Sequence, residues 1–316
     1  MKSIDGIMLV DKPVGMTSHD VVDYVRKALK IKRVGHTGIL DPNATGLMVV
    51  LIGKGTLLSN YLTNMSKRYV SRFEFGRETD TFDADGKVVQ SRDPGKIERE
   101  EFEKLVEDFK GDIEQIVPPF SAAKRGGVAS HRLARRGETF TAKHKVVRID
   151  DIRVVDFDWP EVSFDIRCQS GTYVRSIAHQ MGQTLRCGGH LNRLRRLEVG
   201  PFNVSAASTL EEVSEVDDIT EIIKPLKYAL PAAPMIDIKP QYYGAVLNGR
   251  PLYKKYIGGG NYDGNGGVLS LLMGPDDKVL ALANLNMHWR VINKLGPSEI
   301  MGSYVRVIDE GHLRSQ

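Results

Sequence analysis

The residues with the clearest chemical potential lie in one run, Gly35-His36-Thr37-Gly38-Ile39-Leu40-Asp41-Pro42-Asn43-Ala44-Thr45-Gly46. His36 and Asp41 are residue types that exchange protons, and a carboxylate can also attack a carbon centre. An Asp before Pro otherwise serves a turn. Far along the chain, Arg175 carries a planar guanidinium that grips a carboxylate through two donors, at a separation of about 3 Å. Beside a carboxylate such as Asp41 it could orient the group or make a structural salt bridge. Tyr69 offers a ring that stacks on a base and a hydroxyl at its tip. Cys168 and Cys187 are too few for a disulfide scaffold or for a structural zinc site of their own. No ligand cluster marks a metal or cofactor.

Regular elements must hold these groups. Residues 7–10 and 47–52 are apolar and read as buried strands, and residues 69–75 alternate with Tyr69, Ser71, Phe73 and Phe75 on one face. Thr17 or Ser18 caps a helix through Val21, Val22, Val25 and Leu29. Residues 35–46 hold three glycines and Pro42 and read as a loop. A second helix spans 97–110, with Phe102, Leu105, Val106 and Phe109 on one face and Gly111 to end it. Residues 146–157 and 162–168 read as paired strands, and 172–185 as a helix through Ile177, Ala178, Met181 and Leu185. Strands and helices alternate without a repeated βαβ unit, which favours an α+β fold over a dinucleotide-binding one. Glycine clusters and short strands at 268–273, 279–283 and 304–308 indicate a β-rich appendage after a boundary near 228–234.

The chain has 316 residues, with 44 Lys plus Arg against 40 Asp plus Glu and a net charge of +4. The balance is that of a globular protein and excludes a fibrous or disordered one. No apolar run reaches the roughly 18 residues of a membrane span, and no signal peptide opens the chain, so a soluble cytoplasmic protein is expected. Charge is segregated. Residues 24–40 carry five basic side chains and no acid; residues 121–148 carry eight, with Glu138 alone in opposition; residues 186–196 carry four arginines. Acids gather at 98–114 and 211–221. Such separation suits a phosphate backbone.

The run from Gly35 to Gly46 closely resembles the catalytic motif of the bacterial TruB family of tRNA pseudouridine-55 synthases. The resemblance continues through Lys12-Pro13-Val14-Gly15-Met16-Thr17-Ser18, Lys67-Arg68-Tyr69, Gly76-Arg77-Glu78-Thr79-Asp80-Thr81-Phe82-Asp83 and Gln115-Ile116-Val117-Pro118-Pro119-Phe120-Ser121-Ala122-Ala123-Lys124. Ser170-Gly171-Thr172-Tyr173-Val174-Arg175-Ser176-Ile177, Leu194-Arg195-Arg196 and Gly200-Pro201-Phe202 follow in order. Ile39, Asn43 and His131 depart from the family's usual residues.

The resemblance implies an α+β pseudouridine-synthase fold with a mixed β-sheet. Its catalytic domain would span 1–230, with an RNA-contacting insertion at 121–148 and a small PUA-like appendage at 231–316. It implies Asp41 as the catalytic aspartate, with Tyr69 and Arg175 beside it. His36 would lie against displaced nucleotides, Tyr173 would support the pocket and Leu194 would wall it, while Lys124 and Arg132 would contact RNA. The implied reaction isomerises uridine in the tRNA T-stem-loop, with no cofactor or metal, by a monomer that needs neither guide RNA nor protein partner. Help with tRNA folding is compatible with it. Attack at C1′, attack at uracil C6 and a glycal route all satisfy the atom balance; the resemblance favours the last. Two other readings use the same features: a guide-RNA-dependent pseudouridine synthase and a noncatalytic RNA-binding or RNA-folding protein.

Overall fold

The structure, a computed structural model, describes residues 4–119, 124–125, 128–129, 143–261, 269–286 and 289–308. β1 (Gly6–Lys12) is buried along almost its whole length. Ile7 and Leu9 face one core while Met8 and Val10 face another, as the pleat demands. α1 (Ser18–Ala28) begins at a capping box: the Thr17 hydroxyl accepts the Asp20 N–H, and the Asp20 carboxylate accepts the Thr17 N–H. Val21, Val22 and Val25 share its buried face.

β2 (Val34–His36) pairs antiparallel with β3 (Thr45–Ile52). The segment expected to be a single loop is therefore anchored at both ends by strand. Its first two residues finish β2, its last two open β3, and the free loop is 37–44. The glycine count concealed this, because Gly35 and Gly46 serve strand positions. β3 also runs antiparallel to β1, with Lys12 opposite Gly46.

β4 (Lys67–Phe75) buries Tyr69, Ser71, Phe73 and Phe75, as its alternation requires. A ribbon of β5 (Arg77–Thr79) and β6 (Val88–Ser91) follows. α2 (Arg99–Glu107) is shorter than the expected 97–110, and Gly111 takes a left-handed φ of +86° as β7 (Gly111–Ile116) begins. β8 (His144–Asp158) and β9 (Glu161–Cys168) form the expected antiparallel pair. α3 (Val174–Thr184) leads to β10 (Gly189–Val199), and β11 (Ile223–Pro225) closes one sheet edge against β1.

The large mixed sheet runs β11–β1–β3–β10–β4–β9–β8–β7. Only β3 and β10 pair in parallel along this order. β10 is the principal element that hydrophobic patterning did not reveal, because Arg193, Arg195 and Arg196 interrupt its apolar residues. The topology supplies partners for two of these side chains. Arg195 reaches the Asp11 carboxylate at 2.6 Å, and buried Arg196 donates to the Leu47 carbonyl at 2.7 Å.

α1, α2 and α3 pack in the core on one face of the sheet. A second, six-stranded sheet contains Met235–Ile238, Leu252–Tyr253, Ile257–Asn261, Leu269–Met273, Val279–Leu285 and Ile300–Val307. Leu271, Met273, Val279 and Leu282 from it join one buried cluster with Ile7, Leu9, Leu47 and Val49. The appendage thus covers the sheet face opposite the helices. Among the described residues no helix is long and apolar enough to cross a membrane.

Candidate active site

The 37–44 loop, the start of β4, the N-terminus of α3 and the middle of β10 converge on a cavity of about 500 Å³. His36, Asp41, Tyr69, Tyr173, Arg175 and Leu194 all line it. Six residues drawn from four stretches of sequence thus meet at one concave site. Lys124 belongs to a short strand, Lys124–Arg125, and Arg132 and His131 lie outside the described residues.

Asp41 is 40% exposed at the cavity wall and Arg175 only 6%. Arg175 Nε stands 3.6 Å from Asp41 Oδ2. This is an ion pair, longer than the expected contact of about 3 Å. The hydrogen bond goes elsewhere: Arg175 Nη1 donates to Asp83 Oδ2 at 2.9 Å and to the Thr81 carbonyl at 3.2 Å. The more buried Asp83 takes the close position because the 80–84 loop wraps the guanidinium. Burial pushes the Asp41 carboxyl above the usual carboxylate range, and Arg175 opposes this; Asp83 reinforces the rise, and Lys12 counters it.

Tyr69 is buried in β4, and burial pushes its hydroxyl up to about 12. The Arg196 charge nearby opposes that rise. Arg196 donates to the Gly38 carbonyl at 3.3 Å as well as to that of Leu47, so one buried cation ties the loop to β3. His36 accepts the Gly38 N–H at Nδ1, 3.2 Å away. Nδ1 therefore carries no proton, and the ring offers its Nε2–H. Burial, assisted by the Arg196 charge, lowers the His36 pKa and favours this neutral form.

Tyr173 is the N-cap of α3, which starts two residues later than expected. Its backbone is held by Gln115, whose amide donates to the Tyr173 carbonyl at 3.0 Å and accepts its N–H at 2.8 Å. The Tyr173 ring lies 4.3 Å from Lys145 Nζ and 6.0 Å from the Arg175 guanidinium carbon. Leu194, opposite Ser71 in the β10–β4 pairing, supplies apolar wall. Ile39 is 57% exposed at the cavity, and Asn43 donates to Asp85.

Four contributors escaped sequence reasoning: Asp83, Lys12, Lys67 and Arg196. Lys12 is fully buried and donates to the Pro13 and Pro42 carbonyls at 2.8 and 2.9 Å, which fixes the chain beside Asp41. Burial lowers its amine to about 8, although Asp41 pulls the other way. Lys67 lines the cavity, and burial likewise lowers it to about 8. The available signal was position, since each lies inside one of the motifs named above.

A mixed sheet whose loop, packed helix and central strand bring a carboxylate, an arginine and a buried tyrosine to one cavity is the architecture of a pseudouridine synthase. Residues 26–174 match the family model described as TruB family pseudouridylate synthase (N terminal domain), and residues 175–231 match the tRNA pseudouridylate synthase B C-terminal domain. The tRNA pseudouridine synthase B of Opitutus terrae is 43% identical over 235 residues, covering 74% of this chain and 97% of that protein. That of Syntrophotalea carbinolica is 37% identical over 274 residues, covering 86% and 89%. Among solved structures, a Cbf5-Nop10-Gar1 complex aligns with TM-score 0.72 at 26% identity, covering 96% of this chain and 85% of that one. An H/ACA RNP bound to a substrate RNA containing 2′-deoxyuridine aligns with TM-score 0.73 at 23% identity, a likeness of fold, over 96% and 85%. The chain belongs to the TruB family of pseudouridylate synthases.

Proposed function

We propose that the protein isomerises a T-loop uridine of tRNA to pseudouridine, with Asp41 as the catalytic carboxylate. The observation that carries this reading is the Asp41–Arg175 ion pair on the wall of a cavity also lined by Tyr69, His36 and Leu194. The names of the relatives supply tRNA as the substrate.

The reaction breaks N1–C1′ and makes C5–C1′, so the freed uracil must turn without leaving. Leu194 and the Tyr69 ring supply surfaces that retain it. Asp41 acts as the anion, and Arg175 favours that state. In the glycal route the same carboxylate takes the C2′ proton and later returns it. Tyr69 enters as a neutral phenol near the Arg196 cation. Arg196 cannot accept a proton from it, which favours a stacking role over that of a base at C5. A stacked loop must release its uridine, which costs roughly a few kcal/mol. His36, neutral at the cavity mouth, is suited to fill the gap. The basic 121–148 segment, an insertion in a catalytic body of 1–230, would contact the RNA backbone through Lys124 and Arg132. A PUA-like appendage at 231–316 would extend that surface.

The test is a purified Asp41→Asn protein, with nuclease-digested tRNA resolved by chromatography because the isomers have equal mass. The variant is expected to bind tRNA and form essentially no pseudouridine; near-normal turnover would sink the assignment. The fold likeness to the Cbf5 complexes favours a second reading, guide-RNA dependence. Turnover of an isolated T-stem-loop by the protein alone excludes that dependence.

A further inference from the structure

We propose that His179 and Phe82 form a positioning pair that holds the 80–84 loop on Arg175 and thereby sets the Asp41–Arg175–Asp83 arrangement. The inference rests on the reading of this site as a pseudouridine synthase centre. Neither ring lines the cavity.

Arg175 and His179 are four residues apart on α3 and so share a face. Arg175 binds the residues on either side of Phe82, namely the Thr81 carbonyl and the Asp83 carboxylate. His179 binds the residue between them: the two rings stack with centroids 3.8 Å apart and planes 10° from parallel. One helix face therefore grips three consecutive loop residues.

Phe82 needs that grip. Its φ is +65°, a left-handed conformation that a bulky non-glycine residue rarely adopts. Such a conformation persists where the surroundings over-determine it. Here the Phe82 N–H donates to the Thr79 carbonyl at 3.2 Å, and the Phe82 carbonyl accepts the Leu191 N–H at 3.0 Å. The stack supplies the side-chain restraint. Relaxation of residue 82 to an ordinary φ would turn the following carboxylate away from Arg175. The His179 ring faces an acid. Its Nδ1 lies 3.5 Å from Glu78 Oε1, and Glu78 accepts a hydrogen bond from Gln183 at 2.7 Å. Burial lowers the His179 pKa against the pull of Glu78.

The experiment compares wild type with His179→Ala, His179→Phe and Phe82→Ala in single-turnover pseudouridine formation, tRNA affinity and thermal melting. Both alanine variants are expected to react about 10-fold or more slowly while binding tRNA within about twofold of wild type. His179→Phe keeps a planar ring and is expected to recover most of the rate. In an Asp83→Asn background, His179→Ala should slow the reaction little further, because the two changes break one linkage. A role in stability alone would lower melting without this rescue or this non-additivity. The proposal is overturned if folded His179→Ala reacts at the wild-type rate, or if His179→Phe is as slow as His179→Ala. Should His179→Ala fail to fold, Phe82→Tyr against Phe82→Leu decides. A fast Tyr and a slow Leu variant support the stack, and equal rates overturn it. A wild-type protein that makes no pseudouridine at all overturns the functional reading and this pair with it.

Discussion

Asp41 is subject to opposed influences, and pH separates them. Burial and Asp83 raise its pKa; Arg175 and Lys12 lower it. If the reaction needs the anion, its rate falls as pH drops through a value above the ordinary carboxylate one. Arg175→Met removes the largest opposing charge, so the acid limb of the single-turnover rate should move to higher pH. Arg175→Lys keeps a charge without the planar fork; it should lower the plateau about 10-fold or more while shifting the limb less. A rate profile from about pH 4.5 to 8 would show this, and an unmoved limb in Arg175→Met would break the link between the two groups. Tyr69 admits a parallel separation. With a neutral phenol as platform, Tyr69→Phe should retain most of the rate and Tyr69→Ala should lose it; a large loss in Phe with intact binding would instead assign chemistry to the hydroxyl. That Asp41, Tyr69 and Arg175 meet at one cavity was legible, because motif order places them in known company. Asp83 and Arg196 were not, since what an arginine binds depends on which strands meet, and that is absent from local spacing.

At the scale of elements, legibility followed the burial pattern. β1, β3 and β4 bury regular sets of side chains, and α1 announces itself through its cap and valines. β10 fails every apolar template because Arg193, Arg195 and Arg196 interrupt it, and the partners of Arg195 and Arg196 lie far away in sequence. Yet β10 is the strand that brings Leu194 and Arg196 to the cavity and joins β3 in parallel beside the Asp41 loop. The join is tight at Gly46. Its φ is +100°, and a Cβ there would stand 2.3 Å from the Arg196 carbonyl oxygen and 2.8 Å from its nitrogen. Both neighbours are backbone and cannot swing aside. Gly46→Ala should therefore destabilise the fold by about 2–4 kcal/mol in urea unfolding, through left-handed strain and steric overlap together. Turnover should fall as well, because Arg196 would shift near Tyr69. A change below about 0.5 kcal/mol would mean that the two strands part more easily than their contact suggests.

For the molecule as a whole, the appendage packs on the face of the large sheet opposite the helices, against Ile7, Leu9, Leu47 and Val49, so among the described residues it does not line the candidate site. The division at about residue 230 is thus a proposal about sequence organisation, not about independent bodies: the two sheets share a core. Recognition must then come from local charge, since a net charge of +4 over 316 residues attracts a polyanion weakly. The 121–148 segment, with eight basic residues and Glu138 its only acid, is the densest source. Each phosphate contact releases condensed counterions, so affinity falls with salt in proportion to the number of contacts. Replacing Lys124 and Arg132 together by neutral glutamines should weaken tRNA binding. It should also reduce the slope of log affinity against log salt by about 1.4–1.8, roughly 0.7–0.9 for each lost contact. Single-turnover chemistry at saturating tRNA should change far less, because neither charge is assigned to the bond-making step. Filter binding across a salt series measures the slope. A slope unchanged by the double substitution would show that these two side chains do not touch the phosphate backbone, and would move recognition to the arginines and lysines of 24–40.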